Sequence, residues 1–241
     1  MEDWQRRFID FLVETGAFRL GSFTLKSGRL SPTFVNTGLV EDGYGLNELG
    51  AAYAARIVAA CGLDGFDAVF GPAYKGVPLA VSTVIALAAQ GRRVPYLFDR
   101  KERKDHGEEA SGGNDAAALL VGHRPAAGER LVLVDDVLTT GATKFEAVQL
   151  LQRLVPDVRF PALVIAVDRQ EADDRGDDAA GLFTRETGIA VHAAVTMTDI
   201  LTHLDSTGRL TGQARLDCIA YLRTYGTAPA RSWADQAATA G

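Results

Sequence analysis

Hydrophobic positions change their period several times along the chain, and each change marks an element. From Trp4 to Glu14 the apolar residues Trp4, Phe8, Phe11 and Leu12 recur at helical spacing and Gly16 closes the run, which predicts an amphipathic helix. Residues 17–36 alternate apolar and polar around Gly and Pro instead, the pattern of a short hairpin or two small strands outside a main sheet. Leu46, Leu49, Tyr53 and Ile57 restore the helical period over an Ala-rich stretch that runs to Ala60. Beyond it, short aliphatic runs and helical segments take turns. Strands are predicted at 67–71, 94–98, 131–134, 158–167 and 190–195. Helices are predicted at 77–89, from Thr143 through Phe145, Val148, Leu151 and Leu154, at 182–186, from Thr198 with Asp199 in its first turn, and at 216–225. Strands spaced by helices predict an α/β fold with a doubly wound parallel sheet, and residues 17–40 a small hood beside it. Residues 172–180 are acidic and read as loose, and residues 226–241 have little to bury and read as a flexible tail that frays.

The 241 residues, 47% of them hydrophobic, suffice for one good-sized domain and leave no room for a second catalytic one. A single domain over residues 1–225, with its core at about 45–195, is therefore expected. No apolar run approaches the ~20 residues of a membrane span, and the N-terminal segment is charged and lacks a signal-like apolar block, so a cytoplasmic protein is expected. Cys61 and Cys218 stand far apart without metal-binding spacing and read as small core residues. A formal net charge of −6 disfavours nonspecific nucleic-acid binding, which needs a basic surface. It also directs attention to lysines and arginines that lie in loops rather than on helix faces.

The stretch richest in chemistry is Leu131-Val132-Leu133-Val134-Asp135-Asp136-Val137-Leu138-Thr139-Thr140-Gly141-Ala142-Thr143. A buried strand delivers two carboxylates to its end, and a tight loop leads straight into a helix. Loop N–H groups, the helix N-terminus and the hydroxyls of Thr139, Thr140 and Thr143 make a phosphate seat, and Gly141 lets the backbone come close. Asp135 and Asp136 are placed to hold a sugar diol or the hydration shell of Mg²⁺. They also fit a plainer role as acidic residues that end a strand before a helix. A Walker-type triphosphatase and a dinucleotide enzyme are disfavoured, because neither Gly-x-x-x-x-Gly-Lys-Ser/Thr nor Gly-x-Gly-x-x-Gly occurs. A second glycine-bracketed loop, Gly71-Pro72-Ala73-Tyr74-Lys75-Gly76, offers N–H groups and the charge of Lys75 to an anion. Residues 99–114 are rich in charge and glycine without apolar period, as in an exposed loop. Arg169 stands at the carboxyl end of a predicted strand, where α/β folds bind ligands.

The string from Leu131 to Thr143 resembles the phosphoribosyl-diphosphate-binding signature of type I phosphoribosyltransferases. Four further phrases resemble the orotate phosphoribosyltransferases: Phe23-Thr24-Leu25-Lys26-Ser27-Gly28-Arg29, Gly71 to Gly76, Arg100-Lys101-x-x-Lys104-Asp105-His106-Gly107-Glu108, and Val167-Asp168-Arg169-Gln170-Glu171. The resemblance spans about residues 4–225. It implies transfer of the phosphoribosyl group of 5-phospho-α-D-ribose 1-diphosphate to orotate, giving orotidine 5′-phosphate and pyrophosphate in pyrimidine biosynthesis. Mg²⁺ is the implied cofactor, and a homodimer in which Lys101 reaches the partner's site is the implied assembly, with no nucleic-acid or membrane partner. By the same resemblance, Lys26, Lys75, Arg100, Lys101, Lys104 and His106 surround the diphosphate with Mg²⁺. Thr139, Thr140, Gly141, Ala142 and Thr143 seat the 5-phosphate, Asp135 and Asp136 hold the ribose hydroxyls, and Tyr74, Val137 and Leu138 also belong to the phosphoribosyl-diphosphate site. Orotate lies under the hood at Phe34 and Val35, near Lys26 and Thr139, with its carboxylate on Arg169. Lys101, Lys104, His106 and Asp136 are the implied catalytic residues. The chain departs from the family pattern twice: Val35 replaces a frequent second aromatic, and residues 109–120 are extra where relatives usually have a short Gly-Gly connection. A regulator that keeps the fold to bind nucleic acid would need a basic face or an added module. A purine or uracil phosphoribosyltransferase would lack Arg169 and the Arg-Lys-x-x-Lys-Asp-His loop.

Overall fold

Helix α1 (Asp3–Glu14) leads into an antiparallel hairpin, β1 (Phe18–Thr24) and β2 (Leu30–Val35), which stands apart from the main sheet as the hood. The computed structural model describes residues 1–25, 27–102, 119–138, 141–173 and 176–239. After α2 (Gly43–Cys61) the chain lays down β3 (Ala68–Phe70), α3 (Gly76–Ala89), β4 (Tyr96–Asp99), β5 (Leu120–Gly122), β6 (Leu131–Val137), α4 (Ala142–Leu154), β7 (Leu163–Asp168), α5 (Ala179–Thr187) and β8 (Val191–Thr196). Helices α6 (Met197–Ser206), α7 (Gly212–Tyr225) and α8 (Ala228–Thr239) complete it.

Among the described residues six strands form the main sheet in the order β5-β4-β3-β6-β7-β8. All pairings are parallel except β4 with β5. The antiparallel edge strand β5 is absent from the sequence-based expectation; it joins Leu120, the last of the extra residues, to Val121 and Gly122, and three residues are too few to display a period. Strand β7 begins at Leu163 rather than at Val158, since Pro161 has no N–H for a ladder.

The middle strands are buried on both faces, which is why they read as unbroken aliphatic runs. Val132, Val134, Val164 and Ala166 pack toward Tyr53 and Ile57 of α2 and Leu79 of α3, whereas Leu131, Leu133, Leu163 and Ile165 pack toward Val148 and Leu151 of α4 and Phe183 of α5. This period-two division decides where the polar residues at the strand ends go. Asp67, just before β3, accepts the backbone N–H and the guanidinium of Arg130, just before β6, and so pins their register. The Arg130 side chain holds the Asp67 carboxyl down at about 2. A depressed carboxylate adds stability above its unfolded value of about 4 and loses it as pH falls through the folded one. The melting temperature of Asp67→Asn should therefore lie below that of wild type at neutral pH, and the gap should close between about pH 4 and pH 2.

In two segments the described residues form more structure than composition predicts. The tail does not fray after Gly226: α8 buries Ala230 and Ala234 fully, and Trp233 Nε1 donates to Thr202 Oγ1 at 2.8 Å. Alanines carry little apolar weight, but they let α8 approach α7 closely, and Arg223 bonds Asp235 across the pair at 2.8 Å. In the acidic stretch after β7, Ala172 bridges Asp178, whose side chain caps α5 by accepting the Gly181 N–H. Helix α6 begins at Met197, not Thr198, because Thr196 supplies the cap to the Asp199 N–H. Among the described residues no helix is long and apolar enough to cross a membrane.

Candidate active site

From β3 the chain moves to β4 on one side and then returns to add β6 on the other side of β3. The reversal opens a crevice at the carboxyl ends of β3 and β6, the place where open parallel sheets bind ligands. The 71–76 loop flanks it on one side, and Leu138 and Gly141 on the other. The structure closes it with one contact: Lys75 Nζ lies 2.6 Å from Asp136 Oδ2 and also donates to Asn36 Oδ1 at 3.2 Å. The hood, the 71–76 loop and the end of β6 thus meet at a single ammonium group.

Asp135 and Asp136 are both buried, at 5% exposure each. As neighbours on a strand they leave the sheet on opposite faces. Asp136 turns to Lys75 at the start of α3, and Asp135 turns to Lys144 of α4, with Oδ2 and Nζ 2.5 Å apart. Backbone donors fix both: Asp136 N–H to Asp135 Oδ1 at 2.8 Å and Val137 N–H to Asp136 Oδ1 at 2.7 Å. The buried Tyr53 hydroxyl donates to the Asp135 carbonyl at 2.6 Å, and burial beside the two carboxylates drives its pKa well up. Burial also raises the Asp135 carboxyl, while the Lys144 charge pulls the other way.

The loop after β3 is closed by glycine contact. A Cβ on Gly71 would sit 2.0 Å from the carbonyl oxygen of Gly76. Buried Asp99, at the end of β4, accepts the Ala73 N–H at 2.6 Å and keeps the loop in place. Tyr74 projects outward, 76% exposed. Gly71→Ala should displace the loop and cost about 1–3 kcal/mol, the usual penalty of overpacking, together with anion affinity. Thermal melting and phosphoribosyl-diphosphate titration measure the two losses.

On the other side of the crevice, Leu138 is buried and Gly141 adopts a left-handed φ of 75° as the residue before α4. Ala142 and Thr143 occupy the first turn of α4, whose N–H groups have no partner within the helix. Thr139 and Thr140 lie outside the described residues, as do Lys26, Lys104 and His106. Where the charged loop leaves β4, Lys101 Nζ stands 3.9 Å from Asp99 Oδ2, and the buried Arg100 Nε has no partner among the described residues. A cavity of about 350 Å³ adjoins them, bounded by Thr143, Glu146, Leu150 and Arg153 of α4.

Arg169 follows β7 and is mostly buried. Its Nη2 meets Glu171 Oε1 at 2.5 Å, and the same oxygen accepts the Tyr221 hydroxyl of α7 at 3.0 Å. Between them Gln170, at φ 53°, accepts the Thr198 N–H with its side-chain oxygen and the Thr227 N–H with its carbonyl. The arginine therefore sits on a loop clamped by α6 and the segment joining α7 to α8. In the hood, Phe34 stacks on Phe23 at 5.2 Å with Arg19 over both rings. Val35 alternates to the other face and packs on the core. Lys144, Asp99, Asn36, Glu171 and Tyr221 were not singled out from the sequence. Of these, Glu171 closes a recognisable motif, Asp99 and Lys144 adjoin one, and Asn36 and Tyr221 carry no local signal.

A buried strand-end carboxylate beside a glycine-bracketed loop at a sheet reversal is the layout in which open α/β sheets take up ligands. A family model described as a phosphoribosyl transferase domain matches residues 43–199. Orotate phosphoribosyltransferases are among the similar curated proteins. That of Marinobacter nauticus is 41% identical over 227 residues, 94% of this chain and 100% of the relative, and that of Bifidobacterium adolescentis is 41% identical over 91% of this chain and 96% of the relative. The crystal structure of the Francisella tularensis orotate phosphoribosyltransferase superposes with a TM-score of 0.77 at 30% identity, covering 92% of this chain and 100% of that one. The chain belongs to the orotate phosphoribosyltransferase family.

Proposed function

We propose that the crevice between β3 and β6 is where this chain joins orotate to 5-phospho-α-D-ribose 1-diphosphate, releasing pyrophosphate and orotidine 5′-phosphate. The observation that carries the reading is the Lys75 to Asp136 contact at 2.6 Å, which brings an anion loop and a diol-binding carboxylate to one point. Substitution at the anomeric carbon passes through an oxocarbenium-like state as pyrophosphate departs, so catalysis rests on positioning and on stabilising the leaving charge. The 138–143 loop and the start of α4 seat the 5-phosphate, and Asp136 takes ribose hydroxyls. Lys75, Arg100 and Lys101, with Lys26, Lys104 and His106, surround the diphosphate. Arg169 pairs with the orotate carboxylate beneath the Phe34-Val35 end of the hood.

The donor set fits Mg²⁺ carried in by the substrate. Among the described residues no cluster of three or more acidic, His or Cys ligands exists, and Mg²⁺ commonly binds one or two carboxylates with substrate phosphates. Asp136 would reach its water shell, and the ion would neutralise charge on the departing diphosphate. The test is base-dependent pyrophosphate release by the purified protein with orotate, uracil and hypoxanthine side by side. Orotate alone should support turnover, and equal turnover with uracil or hypoxanthine would remove the assignment.

The reading includes a two-fold dimer in which Lys101 serves the neighbouring site. A mixed dimer of Lys101→Ala and Asp136→Asn subunits then has one doubly defective site and one intact site. With free exchange of equal amounts, activity should recover to roughly a quarter of wild type from two nearly inactive parents. Exchange without recovery would place Lys101 in its own subunit's site.

A further inference from the structure

Lys144 occupies a position that helix energetics disfavour. It is the third residue of α4, where the N–H groups and dipole of the helix favour an anion and repel a cation. A lysine there would be expected to extend into water. Instead its side chain is 11% exposed and its Nζ lies 2.5 Å from Asp135 Oδ2, a carboxylate 7% exposed. The other pair in the crevice is built differently. Lys75 is 55% exposed, divides its ammonium between Asp136 and Asn36, and stands on the anion loop itself. One pair is sealed and the other is open, and the pleat sends them to opposite faces of the sheet.

We infer that Lys144 is a positioning residue, the permanent counter-ion of Asp135, so that of the two adjacent acids only Asp136 exchanges its partner when phosphoribosyl diphosphate binds. Lys75 moves to the incoming diphosphate and frees Asp136 for the ribose hydroxyls, while Asp135 stays bound to Lys144 and anchors the start of α4, just past the phosphate loop, to the end of β6. The inference rests on the reading of the crevice as the phosphoribosyl-diphosphate site. It assigns different work to two residues that look equivalent in sequence.

Removing one member of a buried ion pair is far more damaging than removing both, because the survivor keeps its charge without a partner. Lys144→Met should therefore weaken phosphoribosyl-diphosphate binding, measured by calorimetry with Mg²⁺, by roughly a hundredfold. The KM for orotate at saturating phosphoribosyl diphosphate should change by less than about threefold, a split that general loosening of the fold would not produce. Lys144→Arg keeps the charge and should retain most of the affinity. The double variant Asp135→Asn with Lys144→Met should recover binding to within about tenfold of wild type, whereas Asp136→Asn should stay impaired whether or not Lys144 is changed. If Lys144→Met does not fold, the double variant compared with wild type and Asp136→Asn carries the same decision. A double variant as impaired as Asp136→Asn would overturn the inference and make Asp135 a direct ligand. Wild-type binding by Asp136→Asn would instead sink the crevice assignment itself, and the inference with it.

Discussion

Replacing Asp136 by Asn is expected to lower kcat/KM for phosphoribosyl diphosphate by several hundredfold or more while the protein remains folded. The carboxylate is buried at the end of β6, and hydrogen bonds from sugar hydroxyls to a charged acceptor contribute about 1.5–3 kcal/mol each. Losing two at the low end gives about 3 kcal/mol, more than a hundredfold, before any loss of transition-state stabilisation is counted. The fold should tolerate the change. Asn keeps an oxygen for the Val137 N–H now bonded at 2.7 Å, and the partner it abandons, Lys75, is more than half exposed and can turn to water. Steady-state kinetics beside a thermal melt separate the two effects. Wild-type turnover would mean that the acidic residues do no more than end a strand.

Arg169→Ala should act on the other substrate. The guanidinium is mostly buried, and truncating one partner of the charge pair it is proposed to make with the orotate carboxylate costs about 2–5 kcal/mol of binding, much of it from the charge left behind. Orotate affinity should fall at least thirtyfold, with phosphoribosyl-diphosphate affinity changed only a few-fold, because Arg169 lies at the end of β7 and the sugar site at the end of β6. Arg169→Lys should rescue little, since an ammonium cannot give the paired, planar contact of a guanidinium. Calorimetric titration of each substrate is the deciding measurement, and equal weakening of both would take Arg169 out of the base site.

The clamp around Arg169 shows how far the sequence alone reaches. Val167 to Glu171 is recognisable as a motif, but Tyr221 lies fifty residues further on and nothing local to it announces a bond to Glu171. Asn36 and Lys144 are alike in this. Each is an unremarkable polar residue until folding brings it within 3.2 Å of Lys75 or 2.5 Å of Asp135.

What the sequence determined by itself is whatever depends on near neighbours. The aliphatic runs of β3, β6 and β7, the helical stripes of α1 and α2, the glycine loops that end strands and the acidic residues that follow Val134 are all written in spacing, because strand and helix periods act over a few residues. Long-range packing decided the rest. The strand order, and with it the crevice between β3 and β6, exists only once β4 and β6 settle on opposite sides of β3. Helix α8 is ordered because Ala230 and Ala234 meet a surface made by other helices, a gain that no count of their own apolar atoms contains. The adjacent Asp135 and Asp136 acquired different partners because the pleat turned them to opposite faces, and which cation waited on each face was fixed by the helices packed there.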